Sequence, residues 1–176
     1  MSATSCPAGD VVEKWVWTDA DLERMSFHDV KVYAFATRII EPATLNYNLL
    51  FDVDYILAWL CEGSGSTFRF AVSPATLVFE HASELAFEGK PLCPDALLDI
   101  NSLTRTENPS IPGASVATYR WTIAGHDGKV TFGAAGFKLY IRRAPVVSGQ
   151  QSLEYVARGG ISFEECVPGP RGVTSP

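Results

Sequence analysis

Leu49 to Leu60 reads LLFDVDYILAWL, twelve residues that are apolar except for Asp52, Asp54. In an extended strand, alternate side chains face opposite sides. One face carries Leu49, Phe51, Val53, Tyr55, Leu57 and Trp59. The other carries Leu50, Asp52, Asp54, Ile56, Ala58 and Leu60. The fully apolar face marks the core. Two carboxylates in the middle of the other face need either partners or a task.

Downstream, Glu62-Gly63-Ser64-Gly65 reads as a four-residue hairpin loop leading into Phe68 to Val72. That loop sets Cys61 opposite Ser66, Trp59 opposite Phe68, Leu57 opposite Phe70 and Tyr55 opposite Val72, with the apolar pairs on one face. Pro74 ends or bulges the second strand. Thr76 to Glu80 resumes it with opposite parity, and His81 to Lys90 is a turn or a short strand. Residues 91–113 hold Pro91, Pro94, Pro109 and Pro112 and form the loop-rich region, with room for a strand over Leu97 to Leu103. Thr118 to Phe132 reads as a hairpin about a type I′ turn at Asp127-Gly128, pairing His126 with Lys129, Ile123 with Phe132 and Trp121 with Ala134. Gly133 and Gly136 bracket a change of parity, the mark of a bulge or sharp bend. A last strand is expected over Ser152 to Val156.

Upstream, a strand of period two starts at Asp29, and Val11 to Trp17 alternates as a short strand. Between them Thr18 caps a short helix, about Asp19 to Met25. Asp21 completes a T-x-x-D capping box, and Trp17 with Leu22 forms a hydrophobic staple. Eight or nine short strands, one short N-terminal helix and no βαβ spacing describe an all-β fold. It is an antiparallel β-sandwich or a curved, partly closed barrel. Residues 1–10 read as a flexible leader, 11–165 as a single β domain and 166–176 as a disordered tail.

The chain has 176 residues, 47% hydrophobic and 19% charged, with a net charge of −6. This composition is globular. Its 14 Lys and Arg are scattered, the longest basic run being Arg142-Arg143, which speaks against nucleic acid and anionic membrane as partners. No stretch approaches the ~20 apolar residues of a membrane span. MSATSCPAGD lacks a charged start and an apolar core, so no signal peptide is expected and the chain reads as cytoplasmic. Cys6, Cys61, Cys93 and Cys166 form no C-x-x-C pair and are expected as free thiols, Cys61 and Cys93 buried.

Asp52 and Asp54 start roughly 6.5–7 Å apart on one face, a spacing that suits a cation or an acid–base pair. The plainer reading is a half-solvated strand face, or carboxylates that accept hydrogen bonds from a loop or an arginine. His28-Asp29 follows the helix. A carboxylate-oriented imidazole can act as a base, but strand neighbours point apart unless the chain bends there. The plainer reading is a junction residue. His81 and His126 fall in turns without ligand spacing, so no structural zinc site is expected. The sequence lacks G-x-S-x-G and G-x-G-x-x-G, and Gly63-Ser64-Gly65-Ser66 lacks the lysine of a phosphate loop. Phe35, Tyr47, Tyr55, Trp59, Trp121 and Tyr140 either fill the core, the plainer reading, or line a ligand cavity or a protein-binding face.

Three stretches, Trp17 to Asp29 (WTDADLERMSFHD), Leu50 to Ile56 (LFDVDYI) and Val72 to Phe79 (VSPATLVF), carry a resemblance. They resemble a family of small uncharacterised bacterial proteins with W-x-D-x-D-F-E-x-M-x-W-H-D, L-x-D-I-D-Y-I and V-x-P-A-T-L-x-F motifs. Leu22 and Phe27 depart from that pattern. The resemblance implies no activity. It implies only that His28, Asp29, Asp52 and Asp54 belong to one site.

The leading functional expectation is a non-enzymatic binding domain that contacts another protein, an adaptor or a toxin-neutralising, immunity-like protein. It carries no cofactor or metal. Asp29, Tyr47 and Trp121 are its candidate binding residues. The alternatives are a small hydrolase or metal-dependent enzyme using His28, Asp52 and Asp54, and a small-ligand carrier with an aromatic-lined mouth.

Overall fold

The computed structural model describes residues 12–43, 46–61, 68–89, 99–107 and 119–168. The leader, Cys6, the loop residues 62–67, Cys93 with most of the proline-rich region, and the tail from 169 onward lie outside the described residues.

The strands are β1 (Val16–Thr18), β2 (Val30–Glu41), β3 (Asn46–Cys61), β4 (Phe68–Gly89), β5 (Asp99–Glu107), β6 (Tyr119–Gly125), β7 (Gly128–Ala134), β8 (Gly136–Ile141) and β9 (Val146–Ser148). A 3-10 helix spans Asp19–Arg24, and one helical turn, α1, spans Tyr155–Arg158. All strand pairings are antiparallel, in the order β1-β8-β4-β3-β2-β5-β6-β7, with β9 also on β4. β7 returns to β4, so six strands close into a ring. The fold is therefore all-β with a curved, ringed sheet. No helix among the described residues is long and apolar enough to cross a membrane.

β4 closes the ring because it belongs to both halves. Ala75–Glu80 pairs with β8, and Ser83–Gly89 pairs with β7. His81, between these segments, and Glu84, at the irregularity that opens the second, adopt left-handed backbone angles and turn the strand from one half into the other. Asn48 fixes the bend by accepting the His81 N–H at 3.2 Å. Rings from the two halves then meet: Phe79 packs on Phe132 (centroids 4.6 Å) and Trp121 (5.3 Å), and Phe137 on Trp121 (5.5 Å). The core face of β3 is as expected, with Leu49, Phe51, Val53 and Tyr55 all buried.

The register of the first hairpin differs by two residues. Cys61 faces Phe68 and Trp59 faces Phe70. A shift at Leu57 then sets Ile56 opposite Val72 and Tyr55 opposite Ser73. Phe68 is consequently exposed at the hairpin end, Leu57 is only partly buried, and Cys61 is exposed rather than buried. Pro74 neither ends nor bulges its strand but sits opposite Asp54. Its carbonyl accepts the Arg142 N–H on the β8 side. Its missing N–H faces that same side, where the ladder is interrupted between the β8 and β9 pairings.

The second hairpin is also shifted by two, pairing Trp121 with Phe132 and Ile123 with Val130. Neither Asp127 nor Gly128 has the positive φ of a type I′ turn. Gly128 serves another end. It packs against Gly89 of β4, where an added Cβ would stand 2.5 Å from the Glu88 carbonyl oxygen. The change of parity is a sharp bend at Ala135 between β7 and β8. Of the strand expected over Val11 to Trp17, Val11 lies outside the described residues, and among the described ones strand structure starts at Val16 and runs to Thr18. The capping box is present, with Asp21 accepting the Thr18 N–H at 3.1 Å. Ser152–Val156 is not a strand; it leads into α1, which Gly159 and Gly160 end at positive φ.

Candidate functional site

Asp52 and Asp54 project from β3 onto the face opposite the core, yet both are fully buried. Their cover is the segment after β9, residues 150–166, which crosses β3 and β4 as a strap. Leu153 N–H donates to Asp54 Oδ2 (2.7 Å), and Ser162 N–H donates to Asp52 Oδ2 (3.1 Å). Between these two points α1 aims Arg158 inward. Its Nη1 and Nη2 bond Asp52 Oδ2 and Oδ1 (2.9 and 2.7 Å), and its Nε bonds Asp54 Oδ1 (3.2 Å). Arg142, just past β8, donates to Asp52 Oδ1 at 2.5 Å and to the Ser162 carbonyl.

Two carboxylates meet two guanidiniums, so the cluster is formally neutral. The Tyr33 ring lies under the Arg158 guanidinium, 3.7 Å from its centroid, and its hydroxyl stands 3.0 Å from Asp54 Oδ2. Burial, and then the Asp54 charge, push the Tyr33 hydroxyl up to about 12. For Arg158, burial favours the neutral form. The bonds and charges of Asp52 and Asp54 outweigh it, and the pKa is raised. Thr76, opposite Asp52, donates to the Glu164 carbonyl at 2.7 Å and extends the seam. Each carboxylate oxygen thus has a donor, and the pair acts as a fastener for the strap.

No protein-family model, curated protein or solved structure matches this chain.

His28 and Asp29 form a separate arrangement. Asp29 has φ +63, and this bend brings neighbouring side chains together, with His28 Nδ1 2.8 Å from Asp29 Oδ2. Gln151 Nε2 donates to the same oxygen at 2.6 Å. Asp29 also lines a small polar cleft, about 130 Å³, with Lys31, Asp99, Gln150, Gln151 and Ser152. Asp52, Asp54 and His28 are not among that lining. Among the described contacts His28 touches Asp29 and the Trp59 ring (6.3 Å), while Asp52 and Asp54 are held by the strap. The link between the two arrangements runs through the strap, from Gln151 to Leu153.

Trp121 is fully buried, and its indole donates to the Ala134 carbonyl (3.2 Å), which makes it a core residue. Tyr47 packs against the core and pairs with Ile39. Among the described residues no group of His, Cys, Asp and Glu is arranged to hold a metal ion. Sequence reasoning missed Arg142, Arg158, Tyr33 and the strap. The one available signal was Gly159-Gly160 directly after Arg158, a helix-stop pattern.

Proposed function

We propose that this chain is a non-enzymatic binding domain whose partner is another protein, in an adaptor or toxin-neutralising, immunity-like role. The observation that carries the reading is the full occupation of Asp52 and Asp54 by Arg158, Arg142 and two strap N–H groups. A catalytic or metal-binding carboxylate must be free to meet substrate or ion. Here a metal would have to displace two guanidiniums from a sealed site, and His28 is engaged elsewhere, with Asp29. The carrier alternative is disfavoured by the mostly edge-to-face rings of Phe51, Phe79, Trp121, Phe132 and Phe137, which pack together between the sheet halves.

Thermal melts of chelated protein with calcium, magnesium, manganese or zinc added at millimolar level test the reading. The expected result is an unchanged melting temperature. An ion that binds the folded state alone would raise it by mass action. A rise abolished by Asp52→Asn with Asp54→Asn would move the metal-dependent enzyme to first place.

A further inference from the structure

The strap has inverted polarity. It buries Arg158 beside Leu153, yet leaves three apolar side chains in solvent: Val156 is 89% exposed, Tyr155 58% and Ile161 51%. Scattered exposed apolar residues need no explanation. These three lie on one short turn, and the turn is held from within. Gly159 N–H and Gly160 N–H donate to the Val156 and Tyr155 carbonyls, both at 3.1 Å, and Arg143 Nη1 donates to the Ala157 carbonyl at 3.4 Å. Arg158 anchors the same turn to Asp52 and Asp54.

A buried ion group of this kind adds little net stability compared with apolar residues of similar size. What it supplies here is one fixed geometry for the turn above it. A surface already ordered before contact loses less entropy on binding. We infer that the turn from Glu154 to Ile161 is the surface on which the partner docks, and that the partner offers an apolar pocket with a basic rim. This rests on the protein-binding reading above.

The chemistry of the rim follows from the charges around the turn. Glu154 and Glu164 are exposed on either side of it, Glu165 is paired with Arg38, and Arg158 is consumed inward. Arg143, exposed against the turn, bonds the Ala157 carbonyl and keeps its positive charge, so the two glutamates leave the rim acidic by one charge. The chain as a whole carries −6, which opposes an anionic lipid surface as the occupant. The other exposed aromatics form two groups elsewhere, Phe35 on Phe87 (5.3 Å) and Trp59 on Phe68 (6.1 Å) and Phe70 (5.0 Å), and these are the rival surfaces.

The test places a photo-crosslinking residue, one position at a time, at 156, 39, 59 and 129 of the full chain. Each protein is irradiated in extract of the cells the chain comes from, and crosslinked peptides are sequenced by mass spectrometry. Position 156 is expected to give an adduct to an apolar peptide flanked by Lys or Arg. Its yield should fall at least tenfold when Tyr155→Asp and Ile161→Asp are added. Both residues are exposed, so the melting temperature of that variant should hold. An adduct at 156 to lipid, to this chain itself or to an acidic peptide overturns the inference, as does an equal adduct at 129. Adducts confined to 39 or 59 overturn the docking surface and leave the binding reading standing. No adduct at any position overturns both.

Discussion

Replacing Arg158 by Gln removes the cation that serves both buried aspartates. Asp52 keeps Arg142 at 2.5 Å and the Ser162 N–H. Asp54 keeps only neutral donors, the Leu153 N–H and the Tyr33 hydroxyl. Neither carboxylate has solvent to turn to, because both are 0% exposed. Breaking a buried pair from one side typically costs roughly 3–5 kcal/mol, most of it the penalty of the charge left behind. At roughly 2–4 °C per kcal/mol for a domain of this size, the melting temperature should fall by about 10 °C. Asp54→Asn removes the stranded charge, and the Asn carbonyl can still accept from Leu153 and Tyr33. The double variant should therefore regain roughly 1–3 kcal/mol over Arg158→Gln alone. Urea denaturation of wild type, both single variants and the double variant measures the coupling. A cost below about 1 kcal/mol for Arg158→Gln, or a double variant no more stable than that single one, refutes the reasoning.

Two further outcomes are expected. Gly128→Val should cost more than about 1 kcal/mol, because its side chain would meet the Glu88 carbonyl oxygen where β4 and β7 close the ring. An unchanged denaturation midpoint would count against that close approach. Stability should also decline between pH 10 and 12. The Tyr55 and Tyr33 hydroxyls are pushed from 10.0 up to about 12, chiefly by burial, so the folded state favours their protonated forms. That contribution is complete below pH 10 and is lost as pH rises through 12. For the well-buried Tyr55 it amounts to roughly 2–3 kcal/mol, and for the more solvated Tyr33 to less. Urea midpoints across this range should drop less steeply in Tyr55→Phe.

The core side of β3 was legible because period-two alternation depends only on which residues are apolar. Leu49, Phe51, Val53 and Tyr55 needed no knowledge of their partners. Register was less legible. A shift of two residues keeps every side chain on its face, so pattern alone cannot separate Trp59 opposite Phe68 from Trp59 opposite Phe70. The aspartate pair stood out in the sequence, and an arginine partner was among its readings. Which arginine was not legible, since Arg158 lies 106 residues from Asp52, on a single helical turn too short to show a period. His28 and Asp29 meet only because Asp29 adopts φ +63, a backbone state that its residue type permits but does not announce.

Asp52 and Asp54 fasten the strap. Amide hydrogen exchange at Leu153 and Ser162 tests this most directly, because these two N–H groups end on the two carboxylates. In the wild-type protein both amides should be protected. In Arg158→Gln both should exchange at least tenfold faster, while Phe51 and Val53 in β3 remain among the slowest. Exchange of Leu153 and Ser162 at the rate of an unstructured chain in the wild-type protein would contradict the account.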